Sequence, residues 1–118
     1  MNNQKFNLVL DRLLEKTVEG KLNWEKTAIR NTFLAVLQES TISITQEFEP
    51  DADSTFETVS YTFDFRNENG EIVESIDVYD SIEERENFEK AGQIFDLARQ
   101  QSSTIDKTLD HILEQLAA

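Results

Sequence analysis

Val59-Ser60-Tyr61-Thr62-Phe63-Asp64-Phe65-Arg66-Asn67-Glu68-Asn69-Gly70-Glu71-Ile72-Val73-Glu74-Ser75-Ile76-Asp77-Val78 reads as two alternating runs around an Asn-Glu-Asn-Gly turn. A period of two marks a strand with one buried face. Asn69-Gly70 is the strongest turn signal in the chain, so the two runs form a hairpin. Two registers compete. A two-residue loop at Asn69-Gly70 sets Glu68 opposite Glu71 and Phe65 opposite Glu74. A four-residue loop sets Arg66 opposite Glu71, Phe65 opposite Ile72, Tyr61 opposite Ile76 and Val59 opposite Val78. The second register has an ion pair and three apolar pairs, and is the one expected.

Upstream, residues 41–48 alternate again, with Ile42, Ile44 and Phe48 on one face and Thr41, Ser43, Thr45 and Glu47 on the other. Residues 32–37 are apolar on both faces, which predicts a central strand. A two-residue turn at Glu39-Ser40 pairs Leu37 with Ile42 and Ala35 with Ile44, keeping the apolar face together. Residues 47–55 hold the one proline and several acids, and read as a loop. Trp24 falls in a short strand before residue 30. Residues 4–19 form a helix whose stripe is Phe6, Val9, Leu10, Leu13, Leu14 and Val18, with Asn2 or Asn3 at its start and Gly20 just past its end.

Downstream, Phe88, Ala91, Phe95, Ala98, Ser102, Ile105, Leu109, Ile112 and Leu116 recur in alternating steps of four and three. That is a heptad stripe on a helix. Asp80 to Glu83, or Ser81 to Glu84, supplies a capping box at its start. Gly92 beside Ala91 implies a close approach to the sheet. Ser102-Ser103-Thr104 are poor helix formers and good caps. A break there gives helices over 82–100 and 104–116; the unbroken 3.5 phase favours a continuous or kinked helix. The expected fold is α+β: an N-terminal helix, a five-stranded antiparallel meander and a long C-terminal helix. The chain reads as a single domain over residues 1–118, with 103–118 a helical extension used for association. One small domain cannot cover the whole stripe, so it folds back or meets another chain. The candidate seam is Phe95, Ala98, Ile105, Leu109, Ile112 and Leu116.

The chain has 118 residues, with 24 Asp and Glu against 11 Lys and Arg, a net charge of −13. Such a surface repels nucleic-acid phosphate and anionic membrane, and attracts basic partners. Solubility alone explains the acidity equally well. There is no cysteine, so disulfide and thiol chemistry are excluded and a reducing cytoplasmic setting fits. The N-terminus lacks a signal-peptide pattern, and no apolar run approaches a membrane span. His111 is the one histidine and falls on the outer face of the helix, near Asp110 and Glu114; one histidine cannot build a structural or catalytic metal centre. Asp51 and Asp53 begin a calcium-loop pattern that fails at Phe56 and Thr62. No nucleophile–base set and no glycine-rich phosphate loop is present. The reading is a protein that is not an enzyme and has no cofactor. Catalysis by paired carboxylates is the weaker alternative.

Gly20-Lys21-Leu22-Asn23-Trp24-Glu25-Lys26-Thr27, Asn31-Thr32-Phe33, the Asn69-Gly70 hairpin, Leu97-Ala98-Arg99 and Asp106-Lys107-Thr108-Leu109-Asp110 together resemble a group of small uncharacterised bacterial proteins. These have a Trp-Glu-Lys-Thr strand and a long C-terminal helix. The resemblance implies a bacterial source and no mechanism. In size and acidity the chain is also similar to bacterial secretion chaperones, which interrupt their sheet with a helix that is not expected here. Two functions follow. One is a protein-interaction module, a homodimer through its C-terminal helix. The other is an immunity or antitoxin-type inhibitor, or a DNA mimic, covering a basic target protein.

Overall fold

The structure is a computed structural model that describes residues 3–50, 57–102 and 104–117. Its elements run α1 (Asn3–Val18), β1 (Trp24–Lys26), β2 (Thr32–Val36), β3 (Thr41–Pro50), β4 (Glu57–Arg66), β5 (Ile72–Tyr79), α2 (Arg85–Gln101) and α3 (Thr104–Ala117). The strands form one antiparallel sheet in the order β1-β2-β3-β4-β5. This is the α+β meander the sequence predicts. The middle strand is β3; β2 is interior, paired with both β1 and β3, but it is covered on one face and not on both. Val36 is 54% exposed, because the apolar residues on the second face of β2 meet no covering layer.

Helix α1 ends in a Schellman motif. Gly20 takes φ +71°, Lys21 N–H donates to Lys16 O and Gly20 N–H donates to Thr17 O. The buried face of α1 is Phe6, Leu10, Leu13 and Thr17. Val18, expected on that stripe, is 64% exposed, and Thr17 takes its place. A period of 3.6 brings Thr17, not Val18, four residues after Leu13.

Both hairpin registers differ from expectation, and the predicted faces are kept except at Ile72, which the bulge moves to the other face. In β2–β3, Ala35 pairs with Ile42 and Phe33 with Ile44, and Leu37 N–H donates to Ser40 O. The two-residue loop is therefore Gln38-Glu39, one position earlier than predicted. In β4–β5, Tyr61 pairs with Val78, Phe63 with Ile76 and Phe65 with Glu74. That is the register rejected on pair counting. The register shifts between Phe65 and Arg66, and Arg66 pairs with Ile72. Gly70 takes φ +81°, and Asn67 N–H donates to Glu71 O. The Asn67 side chain accepts from the Asn69 and Glu71 amides. A three-residue loop with a bulge thus replaces both simple loops. Ile72 and Val73 are left outside, at 53% and 62% exposed. Residues 47–50, predicted as loop, continue β3 and pair with residues 57–60.

α1 and α2 pack side by side on one face of the sheet. Phe6 meets Phe63 edge-to-face, and Phe95 meets Phe33 and Tyr61. Gly92 allows this approach: a Cβ there would sit 3.3 Å from Tyr61 Oη. α2 is preceded by the Ser81–Glu84 box, in which Ser81 Oγ accepts from the Glu84 amide. The Glu84 carboxylate reaches past Ser81 to the Tyr79 amide. No described helix is long and apolar enough to cross a membrane.

Candidate functional site

The C-terminal stripe divides into α2, capped by Ser102, and α3, which starts at Thr104. Ser102 N–H still donates to Ala98 O, and its hydroxyl donates to Arg99 O. The serine side chain satisfies the helix end instead of continuing it. The joint is fixed to the rest of the fold. Gln101 Nε2 donates to Thr17 O at 2.9 Å, Trp24 Nε1 donates to Thr17 Oγ1 at 3.1 Å, and Thr17 Oγ1 donates to Leu13 O at 2.7 Å. Trp24 and Thr17 are fully buried. The ends of α1 and α2 and the start of β1 are therefore tied to one another where α3 departs.

The division separates the six seam residues. Phe95 and Ala98 belong to the domain's own core, at 2% and 0% exposed, so they offer nothing to a partner. The side chain of Ile105 lies outside the described residues. Leu109, Ile112 and Leu116 stand on α3 at 53%, 42% and 77% exposed. Leu113, not part of the predicted seam, joins them at 64%. Leu109, Ile112, Leu113 and Leu116 are spaced i, i+3, i+4 and i+7, one apolar face of a 3.6-residue helix. The heptad count overlooked Leu113; counting at 3.6 once the helix restarts finds it. Every described side chain from Thr108 to Ala117 is exposed. The Cα radius of gyration, 16.0 Å, exceeds the ~13 Å of a compact chain of this size.

His111 is exposed, with Nε2 3.3 Å from Gln115 Nε2. Among the described residues, no three His, Asp or Glu side chains converge on a point. Asp51 and Asp53 lie outside the described residues. Glu47 and Glu49 are exposed on β3.

The second surface is the uncovered face of the sheet. Register places Glu25, Thr32, Ser43, Thr45, Glu47, Glu49, Ser60, Thr62, Asp64 and Asp77 there, away from the core. Its side chains bond across the strands: Thr32 with Thr45, Thr62 with Asp77, Ser75 with Asp64, and Arg66 with Ser43. Nearby negative charge raises the Tyr79 phenol above its ordinary range, chiefly through Asp77, whose carboxylate also accepts the phenol's hydrogen bond. Such a face is hydrogen-bonded and acidic. Comparison with protein-family models, with curated proteins and with solved structures gives no match.

Proposed function

We propose that the chain is a non-enzymatic, homodimeric protein-interaction module that associates through α3 in a bacterial cytoplasm. The observation that carries this is the row Leu109, Ile112, Leu113 and Leu116, exposed together on one face of α3. A contiguous apolar row left in water marks a contact surface. Two such rows packed together bury eight side chains, each already partly covered. At ~1.5–3 kcal/mol for a fully exposed side chain, gross burial is roughly 10 kcal/mol. Association costs ~4–15 kcal/mol. The balance favours a weak, concentration-dependent dimer.

Light scattering from tens to several hundred micromolar tests this. Mass should rise toward twice the monomer, and Leu109→Asp should hold it at the monomer with an unchanged urea midpoint. A monomer across the whole range would remove the reading. A loss of stability in Leu109→Asp without a change of mass would instead seat α3 on its own domain.

A second reading rests on the acidic sheet face. Glu25, Glu47, Glu49, Asp64 and Asp77 stand there with Arg66 as the opposing charge, which suits an inhibitor or DNA mimic covering a basic protein. A pull-down from the source cell with Glu47→Lys/Glu49→Lys as the control tests it. A basic partner retained by the wild type alone supports the reading, and equal retention by both removes it.

A further inference from the structure

The turn between β1 and β2 and the last turn of α2 enclose a cleft of about 700 Å³. Its lining contrasts with the rest of the chain. Acids outnumber bases 24 to 11 overall, yet among the described residues no acid lines the cleft and three bases do: Lys26, Arg30 and Arg99. Arg99 reaches Asp96 at 3.5 Å across exposed surface, a weak pair. Lys26 and Arg30 have no ion-pair partner among the described residues. The apolar surface beside the charges is chiefly Ile29, 66% exposed, on the turn; Phe33, 7% exposed, shows only an edge at the base, above the buried Phe95.

The turn is held in shape before any ligand arrives. Thr27 N–H and Thr27 Oγ1 both donate to Thr32 O, and the Ile29 amide donates to Thr27 Oγ1. Asn31 takes φ +56°, a left-handed conformation that asparagine tolerates, and its carbonyl accepts from the Gln46 amide. The fold also brings Arg99 of α2 beside residues 26–33, a stretch distant from it in sequence.

We propose that this cleft binds a small organic anion, its carboxylate or phosphate head held by Lys26, Arg30 and Arg99 and its apolar body set against Ile29 and Phe33. Cations gathered on a fixed turn bind an anion without the cost of ordering the turn. Removing the acids locally is what makes such binding feasible on a chain of charge −13, whose overall field repels anions. The inference is independent of α3.

Titration of the full chain at low salt, followed by backbone amide NMR, tests it with phenyl phosphate, benzoate, inorganic phosphate and benzyl alcohol as probes. Saturable shifts at residues 26–33 and 99 are expected with phenyl phosphate or benzoate, weaker ones with inorganic phosphate, and none with benzyl alcohol. The tighter of the first two identifies the head group. The double variant Lys26→Gln/Arg30→Gln should bind about tenfold more weakly, or not at all. Arg99→Gln should weaken binding in the same direction, while Arg12→Gln on α1 should not. Non-saturating shifts, equal binding of inorganic and phenyl phosphate, or full binding by the double variant would overturn the proposal.

Discussion

Thr17→Val probes the joint from which α3 departs. The substitution keeps the shape of the side chain and removes its oxygen. That oxygen is the acceptor for Trp24 Nε1–H, and Trp24 is 1% exposed. With no acceptor and no water, the indole N–H would be buried without a partner, at a cost of ~1–3 kcal/mol. Leu13 O loses one donor but, as a mid-helix carbonyl, keeps its place in the helix ladder. A stability loss of ~1–3 kcal/mol lowers the thermal midpoint by about 4 °C per kcal/mol for a domain of this size. The assay is urea unfolding followed by far-ultraviolet circular dichroism, which does not depend on the indole. The decisive comparison repeats Thr17→Val in a Trp24→Phe background, where no N–H remains to be orphaned. There the substitution should cost close to nothing, giving a coupling of ~1–3 kcal/mol between the two sites. Equal cost in both backgrounds would show that packing, not the hydrogen bond, sets the value, and the reasoning would fail.

Gly92→Ala gains ~1 kcal/mol of helix propensity but brings a methyl to 3.3 Å from Tyr61 Oη. It should be neutral or destabilising in the wild type and stabilising by about 1 kcal/mol in Tyr61→Phe, read from urea midpoints. Lys90 donates to Asp11 and to Glu86, and these hydrogen bonds, Asp11 first, raise its pKa. A raised folded pKa contributes stability that is fully present below the unfolded value, about 10.4, and is lost as pH climbs through the folded one. Lys90→Met should therefore be less stable than wild type at neutral pH, by less than about 1 kcal/mol because both carboxylates are exposed. That difference should shrink in unfolding curves taken above about pH 11. EDTA should leave the thermal midpoint unchanged; a drop reversed by one particular cation would reveal a metal requirement.

The sequence by itself determined the fold class, the order of helix and strands, and the face that β3 and β4 and most of β5 bury. Tyr61, Phe63 and Val78 lie inward as their period of two requires, and Gly20 stops α1 because a positive φ there favours glycine. Register was a different matter. Sliding a hairpin by two residues keeps every side chain on its face, so alternation cannot distinguish the outcomes. Counting pairs chose Phe65 opposite Ile72; turn geometry at Asn67 and Gly70 chose Phe65 opposite Glu74 and left Ile72 in water. The seam divided along a similar line. An unbroken phase from Phe88 to Leu116 says only that these residues share a side of a helix. Whether a residue meets its own sheet or open water depends on where the packed helix ends, and α2 ends at Ser102, with Phe95 inside and Leu109 outside. The basic cleft was invisible for the same reason. Lys26, Arg30 and Arg99 are ordinary scattered cations in a linear chain, and only packing of α2 against the β1–β2 turn brings them to one place, because the attraction of a site depends on distance in space and not along the backbone.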